Sequence, residues 1–298
     1  MARPLRVLRG TRVLSLALNL PGPAALMRCR RMGATCVKLE PPSGDPMGLY
    51  NSAAYAQLHE GVKVLTADLK APAGQKLLHR ELVKADVLLT SFRPSALEKL
   101  GIGWKTLHRL YPALSQVAII GAPGVRAEEP GHDLTYLADN ALVPGLELPP
   151  TLYADMGGSL MASEAVLQAA RPLNERYAGT GEADARGVFI EVALSEAAAY
   201  LALPRHWGLT QRSGAVGGAH AGYRVYPCQD GRVAVAALEP HFAAALCGVA
   251  GAPASDIRAM FLPATHQAIA AFLLTQTRRQ LDRLAAERDI PLHTMPAA

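Results

Sequence analysis

The opening third of the chain alternates short β-branched apolar runs with stretches of helical period, and few architectures accept that order. Residues 12–18, 35–39 and 86–90 read as strands, and 24–32 and 74–84 as helices. Parallel strands need a long return between them, which a helix supplies, so the alternation predicts a parallel sheet with crossover helices. Residues 97–110 read as one or two short helices around Gly101 and Gly103, and 114–120 as another buried strand. The loop 121–131 then leaves the carboxyl end of that strand, where ligands gather in such folds.

Further along, 161–170 reads as helix, 179–187 as a glycine- and charge-rich turn, 188–192 as strand and 195–203 as helix. A second composition follows: 223–227 and 232–237 form a hairpin around Asp230-Gly231, then come a helix at 240–249, helices within 265–288 and a strand at 290–295. The fold class expected is therefore α/β. A large Rossmann-like domain spans 1–203, a Gly/Ser-rich linker 204–222, and a smaller α+β domain with C-terminal helices 223–298.

Half of the 298 residues are apolar and the formal net charge is +5, which suits nucleic acid, an anionic lipid surface or a small polyanion. The arginines are scattered, as at Arg3, Arg6, Arg9 and Arg12, with no interleaved aromatics and no nucleic-acid-binding signature, so a small phosphate-bearing ligand or a plainly solvated basic face is expected rather than nucleic acid. Cys29, Cys36, Cys228 and Cys247 form no CxxC pair, and no His/Cys cluster has zinc-ligand spacing. Buried thiols, no metal and a reducing cytoplasm are the expectation. The apolar stretch 13–20 is too short to span a membrane and ends at Pro21 and Pro23, so the chain reads as untargeted and without a membrane partner. GxGxxG, GxxxxGK[ST] and GxSxG are all absent, which removes the best support for nicotinamide, nucleotide-triphosphate and serine-hydrolase chemistry.

Other stretches recur in a telling order. Asn19-Leu20-Pro21-Gly22-Pro23 precedes Val37-Lys38-Leu39-Glu40-Pro41-Pro42 and Gly44-Asp45-Pro46. Ala85-Asp86-Val87-Leu88, Ser91-Phe92-Arg93-Pro94 and Leu100-Gly101 come next, then Pro130-Gly131-His132-Asp133-Leu134-Thr135-Tyr136 and Ala154-Asp155-Met156-Gly157-Gly158. Gly222-Tyr223-Arg224-Val225-Tyr226 and Leu238-Glu239-Pro240-His241-Phe242 complete the series. Together these resemble the class III CoA-transferase (CaiB/BaiF) family from residue 12 to about 250, and Gly131-His132-Asp133 resembles its α-methylacyl-CoA racemase branch.

The resemblance implies coenzyme A, carried as an acyl-CoA substrate, and an interlocked homodimer whose sites lie between the large domain of one subunit and the small domain of the other. It implies that His132 and Asp155 are paired acid/base groups and that Glu239 supports the histidine. It places Lys38 and Arg93 near the CoA nucleotide and Tyr136 near the pantetheine. The family's usual Arg-Gly-Lys is replaced by Glu60-Gly61-Val62-Lys63, so the resemblance implies a phosphate contact that is either lost or displaced to Lys63. Leu134-Thr135-Tyr136 also lacks the asparagine that usually precedes the tyrosine.

The chemistry stands apart from the name. Inverting a carbon beside a thioester carbonyl requires a base on each face, and His132 and Asp155 are two bases of different type. A carboxylate, Glu239 or Asp133, would fix the histidine tautomer, and the N–H groups of Met156 and Gly157, at an expected helix start, would steady the enolate. Singly, these residues read as a satisfied histidine, a helix cap and a helix-start carboxylate; their joint order points to a site. Three readings stay open: a racemase of 2-methylacyl-CoA thioesters, a CoA-transferase in which Asp155 is the nucleophile, and a non-catalytic CoA-binding or structural subunit.

Overall fold

The computed structural model describes residues 5–177, 186–252 and 257–297. The chain divides into two units, Met1–Ala202 and Leu203–Ala298. Most of the turn expected at 179–187, through residue 185, lies outside the described residues.

Six strands build the sheet of the first unit: β1 (Arg12–Ser15), β2 (Thr35–Glu40), β3 (Lys63–Thr66), β4 (Val87–Thr90), β5 (Ser115–Ile120) and β6 (Phe189–Ala193). They lie in the order β3-β2-β1-β4-β5-β6, and every pairing is parallel. The order reverses between β1 and β4, which opens a crevice at their carboxyl ends. Helices α1 (Pro21–Arg31), α2 (Pro46–Tyr50), α3 (Ser52–Leu58), α4 (Pro72–Leu82), α5 (Pro94–Lys99), α6 (Trp104–Leu110), α7 (Asp133–Asp139), α8 (Tyr153–Tyr177) and α9 (Leu194–Leu201) complete the unit.

Central strands are buried on both faces, and side chains alternate between them. Val13, Val87, Leu89, Val117 and Ile119 join the core that contains Leu26 of α1 and Val166 of α8. Leu14, Val37, Leu39 and Leu88 join the opposite core with Leu78 of α4, Leu97 of α5 and Leu107 of α6. Each such side chain contributes about 1.5–3 kcal/mol by leaving water, so a one-residue slip in register is strongly disfavoured.

Helix α8 begins at Tyr153, eight residues before the expected helical stretch, and runs straight through Gly157-Gly158. The glycines serve packing there. A Cβ on Gly158 would stand 2.3 Å from Leu194 Cδ2, and one on Gly157 3.1 Å from Leu201 Cδ1, so the missing side chains let α9 lie against α8.

The second unit carries α10 (Leu203–His206), an antiparallel sheet ordered β7 (Tyr223–Cys228), β8 (Gly231–Ala236) and β9 (Leu292–Met295), and helices α11 (Pro240–Ala250), α12 (Pro263–Leu274) and α13 (Arg278–Arg288). Its core joins Val233 and Val235 to Leu246, Ile269, Leu273 and Leu281. The residues read as linker carry all but the first residue of α10 and a short 3-10 turn at Ala215–Gly217. All four cysteines are buried and free. Among the described residues no helix is long and apolar enough to cross a membrane.

Candidate functional site

A cavity of about 560 Å³ opens where β1, β4 and β5 end. Leu18 and Asn19 leave β1, Ser91, Phe92 and Arg93 leave β4, and Gly121 leaves β5 to line it. The Leu18 N–H donates to Ser91 Oγ at 3.1 Å, which ties the first two exits together. A hollow of about 750 Å³ in the second unit is larger, but its lining, which includes Arg212, Tyr223 and Arg224, holds neither carboxylate nor histidine. The smaller cavity is the one that brings a histidine and carboxylates together.

Asp155 lies in the first turn of α8 and faces the cavity. Its own N–H donates to Asp133 Oδ1 at 2.9 Å, so the buried Asp133 caps the start of that helix. A helix N-terminus favours a charged carboxylate. Here the opposite influences win: burial first and the neighbouring Asp133 second push the Asp155 carboxyl up to about 6, against a smaller opposing pull from His132. A carboxyl titrating there is matched to proton transfer near neutral pH.

His132 stands at the N-cap of α7, exposed, with its N–H donating to Thr135 Oγ1 at 3.1 Å. Its ring lines the cavity with Asp155, and among the described residues no side chain or carbonyl hydrogen-bonds it. The Asp133 carboxylate is directed to the Asp155 backbone, not to the imidazole. The Met156 N–H, expected as an enolate donor, instead donates to Leu152 O at 3.0 Å because the helix starts earlier than the sequence suggested.

Tyr136 is buried beside the pair, and burial followed by the Asp155 charge raises its hydroxyl pKa. Two glycines make its slot: a Cβ on Gly121 would meet the phenol oxygen at 2.3 Å, and one on Gly131 would meet the oxygen at 2.4 Å and Cζ at 2.7 Å. Either alanine should destabilise the fold by about 1–3 kcal/mol in thermal or urea unfolding. Tyr136→Phe should rescue Gly121→Ala, whose next contact, Cζ, is 3.2 Å away, and should fail to rescue Gly131→Ala. Equal rescue of both would contradict this packing.

Arg93 is exposed at the N-cap of α5 and lines the cavity, a cation open to a phosphate. Lys38 does not line it: the side chain is fully buried and paired with Glu40 and Asp45. Lys63 is exposed at the first position of edge strand β3, and the cavity lies beyond the carboxyl ends of the strands. Glu239 belongs to the second unit, exposed at the N-cap of α11. Sequence reasoning assigned no role to Tyr50, Ser91 or Glu129, which also line the cavity. Tyr50 had a usable signal, since Asp45-Pro46 is a cap followed by proline at the first helical position.

The model for CoA-transferase family III matches residues 8–296. The chain belongs to CoA-transferase family III. Among its relatives, the succinyl-CoA–D-citramalate CoA-transferase of Chloroflexus aurantiacus is 31% identical over 97% of this chain and 78% of its own length. The α-methylacyl-CoA racemase of Mus musculus is 33% identical over 80% of this chain and 64% of its own length, so the match spans less than two thirds of that racemase. Family III proteins of both names are thus similar to this chain. The crystal structure of Rv3272 from Mycobacterium tuberculosis matches at a TM-score of 0.79 and 23% identity, covering 98% of this chain and 85% of that one. A CAIB/BAIF family protein from Brucella suis matches at 0.75 and 22%, covering 96% and 82%. Both share the fold.

Proposed function

We propose that this protein racemises 2-methylacyl-CoA thioesters by removing the proton beside the thioester carbonyl and returning one to the opposite face. The observation that carries this reading is the placement of His132 and Asp155 on one cavity, with Asp155 pushed up to about 6. Ionised Asp155 takes the α-proton, leaving the electron pair in an enolate. Protonated His132 delivers a proton to the other face, and the reverse reaction exchanges the roles. Arg93 offers its guanidinium to a CoA phosphate, while Leu18, Phe92 and Met47 give apolar surface to the pantetheine and acyl chain. The positive end of α8, next to Asp155, favours the negative charge of the enolate.

CoA transfer is the second reading, supported by the transferase relative that matches nearly the whole chain. There the Asp155 carboxylate attacks the thioester carbonyl and the CoA thiolate leaves, giving a mixed anhydride. The test is to incubate the protein in deuterated water with a 2-methylacyl-CoA, and separately with an acyl-CoA plus a free carboxylic acid. Deuterium at the α-carbon with no CoA movement is the expected result. CoA movement without exchange would overturn racemisation in favour of transfer, and neither event would leave the non-catalytic reading.

A further inference from the structure

The buried side chain of Lys38 is surrounded by acceptors in a way that reaches the cavity without lining it. Its ammonium has three hydrogens and three partners: Glu40 Oε1 at 3.1 Å, His59 Nε2 at 2.8 Å, and Asp45 Oδ2. Since lysine only donates, His59 Nε2 accepts and Nδ1–H donates to Tyr55 O at 2.7 Å, which fixes a neutral tautomer. Glu40 Oε1 also accepts from Tyr55 OH at 2.9 Å. Glu40, Asp45 and His59 converge as ligands converge on a metal ion, and the lysine ammonium stands among them.

The other oxygen of Asp45 faces the functional side. Oδ1 accepts from the Asn19 N–H at 3.1 Å and the Met47 N–H at 2.9 Å. Asn19 is held at φ +64°, a left-handed conformation disfavoured for a residue with a Cβ, and its side-chain oxygen accepts from Tyr50 OH at 3.3 Å. Asn19, Met47 and Tyr50 all line the cavity. We infer that Lys38 is a positioning residue for the acyl-CoA pocket: by neutralising and orienting Asp45, it holds Asn19 in its strained conformation and sets the entry of α2, from which Met47 and Tyr50 project. The role as a direct phosphate ligand passes from Lys38 to the exposed Arg93. This assignment rests on the acyl-CoA reading for the identity of the ligand, and on geometry alone for the positioning.

Two measurements separate those parts. In Lys38→Met, amide exchange at Asn19 and Met47 should quicken by about tenfold or more while β5 amides keep their protection, as local opening without global unfolding requires. In the same variant the KM for a 2-methylacyl-CoA should rise about tenfold with kcat within about threefold, and free CoA should bind correspondingly more weakly. Should Lys38→Met fail to fold because Asp45 and Glu40 lose their cation, Asp45→Asn serves instead. It leaves Lys38 balanced by Glu40 and should give the same exchange pattern at smaller amplitude. Asn19→Gly, which adopts a positive φ without strain, should reduce the effect of Lys38→Met on KM to less than about threefold. Unchanged exchange at Asn19 and Met47 in a folded variant, or an equal loss across the whole sheet, would overturn the positioning role. Failure of the unaltered protein to bind CoA or acetyl-CoA would contradict the acyl-CoA reading, with the exchange result still deciding the role of Lys38.

Discussion

Asp155→Asn is expected to lower turnover about a thousandfold and, at neutral pH, to stabilise the fold. The two effects share one cause. Burial and Asp133 hold the folded Asp155 carboxyl at about 6, above its ordinary value of 3.8. The folded protein therefore binds this proton more tightly than the unfolded chain does. The stabilising contribution is complete below the unfolded value and is lost as pH rises through about 6. At pH 7 the ionised carboxylate opposes folding, and asparagine removes that penalty, on the order of 3 kcal/mol. Urea unfolding should show the Asp155→Asn variant ahead of the unaltered protein at pH 7 and level with it near pH 4. A variant destabilised at pH 7, or one that keeps its activity, would contradict this account.

His132→Gln is expected to separate the two chemistries. If protons are moved by the Asp155–His132 pair, deuterium incorporation at the α-carbon should fall by about 10²–10⁴-fold, the usual scale for loss of a general acid or base. Stability should change by no more than about 1 kcal/mol, because the residue is exposed and its side chain takes part only in the capping box at the start of α7. Binding of free CoA should be little altered. A CoA-transferase needs Asp155 and no second base, so transfer surviving in His132→Gln with full rate would favour that reading.

Much of the parallel sheet was legible because its strands are short apolar runs that a two-residue period divides between two cores, as at Val13 with Leu14 and Leu88 with Leu89. The hairpin of the second unit was legible for a different reason, the Asp230-Gly231 turn between two alternating runs. Edge strand β3 has no legible strand signal, because it is only partly buried and carries no clear apolar run. Helices α2 and α3 are too short for helical period to show, although Asp45 and Asn51 cap them with side-chain hydrogen bonds to the Met47 and Ala54 amides. Gly157-Gly158 looked like the edge of a helix, whereas its glycines are demanded by the approach of α9.

For the site, motif order alone points to His132, Asp133, Tyr136, Asp155 and Arg93, and all line one cavity. Motif order could not reveal direction. Lys38 is a strand residue between Val37 and Leu39, so alternation alone sends its side chain to the sheet face opposite theirs. The same alternation puts Glu40 on that face, but only the tertiary arrangement shows that Asp45 and His59 await it there.

Both proposed chemistries use the Asp155 carboxylate, and its titration is the measurement closest to that shared proposal. Followed through the carboxyl carbon by NMR in aspartate-labelled protein, with Asp155→Asn identifying the signal, the midpoint should lie at about 6. It should move down in Asp133→Asn, which keeps an oxygen to accept the Asp155 N–H and removes the charge. A midpoint near the ordinary 3.8 would contradict a carboxyl tuned by this cavity for proton transfer.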